Sequence, residues 1–86
     1  MKNKIEKIKT IIIEPLKKIN IIVDNVEFFK EGKYNFLRIT LDKVNGIDLD
    51  TIVEATNIIN PLVDEIDVID ESYILDVISK EKGDGK

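Results

Sequence analysis

Residues 48–76 carry nine carboxylates, Asp48, Asp50, Glu54, Asp64, Glu65, Asp67, Asp70, Glu71 and Asp76, without one lysine or arginine among them. Carboxylates so spaced can relay a proton, ligate a divalent cation or present a negative field to a basic partner. Catalysis is excluded by what is missing around them. The chain has no histidine and no cysteine, and this stretch holds no lysine to serve as base, nucleophile or electrophile. A calcium loop of the EF-hand kind needs oxygens at alternate positions around a central glycine, and no glycine falls among Asp64, Glu65, Asp67, Asp70 and Glu71. With no metal or cofactor expected, these five read as a solvated helix end and loop. What remains is electrostatic: a surface that repels phosphate backbones and attracts basic proteins. The same five residues are the candidate partner-binding surface, whereas Asp48 and Asp50 are assigned to capping a helix.

The rest of the chain does not share this bias. Residues 1–18 hold six lysines and two glutamates, and residues 19–47 hold four acids and four bases, within a net charge of −4. Lys2, Lys4, Lys7 and Lys9 are the residues best placed to touch RNA, but a solvated helix face is the simpler reading of them. A chain of 86 residues suffices for one domain without disulfide or metal staples. No apolar run approaches the roughly 18 residues of a membrane span. The start, Met1-Lys2-Asn3-Lys4, leads into an amphipathic segment and not into the apolar core of a signal peptide. The composition fits a cytoplasmic protein.

Holding these charges in place requires regular elements. Ile5, Ile8, Ile12, Leu16 and Ile19 recur at steps of three and four, which predicts a helix over residues 2–19. Its β-branched run at Ile11, Ile12 and Ile13 favours a strand, and Pro15 deprives the Ile11 carbonyl of a partner, so a bend or restart is expected there. Asn20 is read as a left-handed stop. Val26 and Phe28 alternate with polar neighbours. After a turn at Glu31-Gly32-Lys33, Leu37, Ile39 and Leu41 alternate with Phe36, Arg38, Thr40 and Asp42. This predicts a β-hairpin over residues 22–30 and 34–43, ended by Asn45-Gly46.

Asp48 is the expected cap of the second helix, with a later start at a Thr51 and Glu54 capping box as the alternative. Ile52, Ala55, Ile59, Leu62 and Ile66 form its buried stripe, and Pro61 is expected to kink it. Tyr73, Leu75 and Val77 alternate with Ile74, Asp76 and Ile78 in a third strand. Residues 1–79 are thus read as one domain and residues 80–86 as a polar, disordered tail.

The order αββαβ predicts an α+β two-layer sandwich, with two helices packed on one face of a three-stranded sheet and a right-handed crossover. The third strand is free to join beside either of the others. The opposite sheet face stays open. On it Phe29, Phe36, Arg38, Ile74 and Ile78 form a second candidate interface, against the plain reading of scattered surface apolar residues.

Several stretches resemble the bacterial ribosome maturation factor RimP family, in its N-terminal domain. Ile13-Glu14-Pro15-Leu16 resembles the family's helix-ending Ile-Glu-Pro-Val. Val26-Glu27-Phe28-Phe29-Lys30-Glu31-Gly32 with Leu37-Arg38-Ile39-Thr40-Leu41-Asp42-Lys43 resembles its hairpin. Gly46-Ile47-Asp48-Leu49-Asp50 is similar to its Gly-Val-Thr-Leu-Asp helix start, and the ungapped spacing leads to Tyr73-Ile74-Leu75-Asp76-Val77, similar to its Tyr-x-Leu-Glu-Val. No single motif is unique, but their order and spacing together are specific, over residues 8–77.

The resemblance implies a non-enzymatic factor in small ribosomal subunit maturation. Its implied partner is a basic small-subunit ribosomal protein or the immature particle, with only weak direct rRNA contact and no membrane. Two departures stand out: Pro61 within the second helix, and Ile78-Ser79-Lys80-Glu81 where the family runs Ser-Ser-Pro-Gly towards a second, β-barrel domain. The missing linker motif favours a reduced, stand-alone relative over a truncated fragment. A KH-type RNA-binding domain has a similar element order, but Asn60-Pro61 stands where its Gly-x-x-Gly phosphate clamp would be. The remaining alternative is a stand-alone acidic interaction module unconnected with ribosomes, homodimeric through the open sheet face.

Overall fold

The computed structural model describes residues 2–80. Its elements run α1 (Lys2–Lys17), β1 (Ile22–Glu31), β2 (Tyr34–Asp42), α2 (Leu49–Ile66) and β3 (Ile74–Ser79). This is the expected αββαβ order.

In α1 the apolar spacing buries Ile8, Ile12 and Leu16, with Ile5 and Ile19 half-buried beside them. The helix neither restarts nor breaks at Pro15, because proline's fixed φ is helical and only one hydrogen bond, to Ile11, is forfeited. It does end earlier than the apolar spacing suggested, at Lys17. Asn20 takes φ 66°, its amide donates to the Lys17 carbonyl at 2.9 Å, and the Ile21 amide donates to Leu16 at 3.0 Å. That pair of bonds is a Schellman closure, and it is sealed by burial of both Leu16 and Ile21.

β1 and β2 form the antiparallel hairpin, closed by the two residues Gly32 and Lys33 between the pair Glu31 and Tyr34. Gly32 has φ +64° and Lys33 does not enter the positive region, the type II′ pattern that suits strand twist. One irregularity sits between Val23 and Asn25. Val26 faces Ile39 and Val23 faces Leu41, so three residues of β1 span two of β2 and Asp24 is the extra one. The bulge keeps Val23 on the core side.

β3 lies beside β2 and parallel to it, giving a mixed sheet of order β1-β2-β3. The crossover is α2. Its N-cap is Asp48, whose carboxylate accepts from the Thr51 amide at 2.9 Å and the Thr51 hydroxyl at 2.7 Å, so the earlier of the two expected starts is used. The same bonds lower the Asp48 pKa. α2 continues through Pro61 to Ile66. Its stripe is centred differently from the expectation: Ala55, Ile59 and Val63 are buried, while Ile52, Leu62 and Ile66 are half-buried flanks.

Residues of both helices and of one sheet face, including Leu37, Ile39 and Leu41, join in a single core with no buried polar side chain among the described residues. Among the described residues no helix is long and apolar enough to cross a membrane. Lys80, the first residue of the expected tail, is held: its amide donates to the Leu41 carbonyl at 2.7 Å and its Nζ lies 3.2 Å from Asp24. The rest of that tail lies outside the described residues.

Candidate functional site

The nine acids do not share one face. Asp48 and Asp50 sit at the start of α2, and the helix separates them by roughly 20–28 Å from the acids at its end. Asp76 belongs to the opposite side of the sheet. The end of α2 and the loop after it gather most of the candidate residues: Asp64, Asp67, Asp70 and Glu71 line one open groove of about 570 Å³, together with Asn60, Ser72 and Tyr73. Glu65, the fifth candidate, is exposed but does not line it. One residue step along the helix accounts for the difference, since consecutive residues diverge by about 100° around the axis.

Three local features fix the groove. Asp67 ends α2 in the left-handed conformation, φ 46° and ψ 50°, with its amide donating to the Val63 carbonyl at 3.1 Å. The chain therefore turns at an acidic residue where glycine is the commoner choice. Ile69, between Asp67 and Asp70, is buried in the core and anchors the loop that its acidic neighbours made look merely solvated. Tyr73 lines the groove one residue before β3, its ring edge-on to Phe28 with centroids 6.4 Å apart. Burial, then the charges of Asp64 and Asp67, push its phenol pKa up. Ile69, Tyr73 and Asn60 escaped the sequence reading as parts of this site. The apolar pair Val68-Ile69 inside an acidic run was the available signal for the anchor.

The groove is almost uncompensated. Among the described residues only Asp70 has a cation nearby, Lys4 at 3.8 Å, and both side chains are well exposed. Lys4 is thus turned towards the acids, while Lys2 and Lys7 stay solvated on α1. Acidic walls and an open form do not match an enclosed apolar small-molecule pocket. Among the described residues no three potential metal-ligating side chains come close enough to hold an ion. What the arrangement can do is hold several cationic side chains of an extended partner at once.

The second candidate surface is also assembled in one place. Across the open face Glu27, Arg38 and Asp76 stand in one row, and Phe29, Phe36 and Ile74 in the next. Arg38 Nε donates to Asp76 Oδ2 at 2.8 Å, and its guanidinium lies 4.8 Å from the Phe29 ring centre. Phe29 stacks on Phe36 at 5.5 Å. These contacts leave both phenylalanines and Arg38 half-buried. Of the candidate residues there, Ile74 and Ile78 remain exposed, at 46% and 36%.

The model of one family, the RimP N-terminal domain, matches residues 11–80. The matched span takes in the hairpin, α2, the acidic loop and β3.

Proposed function

We propose that this chain, which belongs to the RimP family of ribosome maturation factors through its N-terminal domain, binds a basic small-subunit ribosomal protein, or an immature small subunit displaying one. The groove behind α2 is the binding surface. The observation that carries this reading is the convergence of Asp64, Asp67, Asp70 and Glu71 on one groove with, among the described residues, a single nearby lysine to offset them.

The family is not known for catalysis, and the proposed role is likewise non-enzymatic. Its place in ribosome maturation suggests the cytoplasm. A basic ribosomal protein must be kept from premature contacts, then released onto RNA. An acidic groove does both. Each exposed ion pair contributes at most about 1 kcal/mol, so the complex is reversible and weakens with salt. The phosphate backbone offers a denser line of negative charge and gains from releasing its own counterions, so rRNA displaces the groove. The same field argues against rRNA as the direct ligand.

Copurification with immature small subunits tests the reading. Association should be lost at high salt and in the Asp64→Lys, Asp67→Lys double variant, while Glu65→Lys, off the groove, should retain more of it. Association unchanged by the double variant would remove the groove from the interface while leaving family membership intact.

A second reading has one observation in its favour, the exposure of Ile74 and Ile78 on the open face. On that reading the module pairs with itself through Phe29, Phe36, Arg38, Ile74 and Ile78. If Phe36→Ser and Ile78→Ser change neither the sedimentation of the free protein nor its binding to particles, the face is inert.

A further inference from the structure

We infer that the free edge of β3 accepts a fourth strand from the basic partner, an extended segment in which lysine or arginine alternates with apolar residues. The inference rests on the groove reading above and adds how the partner is held.

Among the described residues β3 is laddered on one side only. The Lys80 amide points to β2, where it bonds Leu41. Strand alternation then turns the amides and carbonyls of Leu75, Val77 and Ser79 outward, to the unpaired edge. Such an edge is a template for strand addition unless something blocks it.

The other edge is blocked. β1 carries the Asp24 bulge and the charges Glu27, Lys30 and Glu31. β3 reads Ile-Leu-Asp-Val-Ile-Ser, has no bulge or proline, and uses its single charge, Asp76, on Arg38. It is also thinly covered: no residue of β3 is fully buried, and Leu75 and Val77 are only half-buried although they face the helices.

Charge selects the occupant. The acidic groove adjoins this strand, for Tyr73 and Leu75 line it together with Asp64, Asp67, Asp70 and Glu71. A strand laid along β3 sends alternate side chains to the two faces of the sheet. Those on the helix side meet the carboxylates, and those on the other side meet Ile74 and Ile78. Lysine or arginine suits the first row and valine or isoleucine the second. A second copy of the chain fits worse, because pairing β3 with β3 would bring two acidic grooves together.

The test uses the whole chain and a short synthetic peptide alternating lysine with valine, read by amide hydrogen exchange and titration. Binding should slow exchange at Leu75, Val77 and Ser79. It should weaken by about tenfold or more when alternate peptide amides are methylated, a change that leaves the charge intact. Val77→Pro, which removes an outward amide and no ladder bond, should reproduce that loss with the fold retained. Three outcomes would overturn strand addition: no binding of the peptide, no protection at these amides, or equal affinity for the methylated peptide. In the last case, continued sensitivity to Asp64→Lys and Asp67→Lys keeps the groove reading and removes only the strand. Protection of the edge without peptide, alongside a dimeric mass, would assign the edge to a second copy.

Discussion

The α1–β1 side of the molecule and the α2–β3 side are built from similar residues but closed to different degrees. On the first, Ile8, Ile12 and Leu16 are sealed from solvent, a Schellman turn ends the helix, and a bulge interrupts the sheet edge. On the second, α2 also seals Ala55, Ile59 and Val63 but ends in a strained acidic turn, the adjoining strand has no fully buried residue, and among the described residues four groove acids gather with Lys4 as their one nearby cation. Stability concentrates where polar groups and apolar faces are satisfied. The proposed binding surface lies where they are not.

The sharpest way to break this comparison is by truncation. Ile12→Ala should lower unfolding free energy by about 3 kcal/mol, the usual loss for a sealed aliphatic side chain, and Val77→Ala by roughly 1 kcal/mol. Equal losses in urea unfolding would show that the two sides are equally closed. The next effect is on association: the Asp64→Lys, Asp67→Lys variant should bind immature small subunits or a lysine-rich peptide about tenfold more weakly, equivalent to about 1.4 kcal/mol, with the greatest difference at low salt. Arg38→Gln on the open face should cost less than about 1 kcal/mol in the same urea assay, since the pair with Asp76 is only partly shielded.

The smallest effects are titrations. Asp48 has a lowered pKa in the folded state, so its stabilising contribution is present above the unfolded value and is lost as pH falls through the folded one. Asp48→Ala should therefore flatten the acid limb of the stability profile. Tyr73 is raised above 10.0, so its contribution is present below the unfolded value and disappears as pH rises through the folded one. In a Tyr34→Phe background, Asp64→Asn with Asp67→Asn should move the Tyr73 phenolate transition to lower pH without restoring it fully, because burial is the larger cause. A basic peptide seated in the groove should move it the same way. No movement would separate the tyrosine from the groove.

Much of the fold was legible because its signals are local. Alternation at Leu37, Ile39 and Leu41, the Asp48 cap and the Asn20 stop each depend on neighbours a few residues away. What the sequence left open is long-range. Choosing β2 over β1 as the neighbour of β3 is a matter of how α2 lies across the sheet. Leu62 and Val63 are adjacent and both apolar, so periodicity could not say which would centre the stripe. The Asp24 bulge was hidden because Ile22 and Val23 are both apolar, and either could have faced inward. At the site, the acids were evident from composition. Their division into a groove set and a separate Glu65 needed the helix end, the left-handed Asp67 and the buried Ile69 to be placed.

The left-handed turn at Asp67 allows shape and charge to be altered independently. Glycine adopts that conformation without steric cost, whereas a side chain is tolerated there only with strain. Asp67→Gly should therefore preserve the helix end, hold or raise thermal stability, and delete one carboxylate from the groove. Few surface positions permit a charge to be withdrawn while the backbone is relieved. A variant that melts no lower yet binds less would show that this aspartate is a concession of stability to recognition.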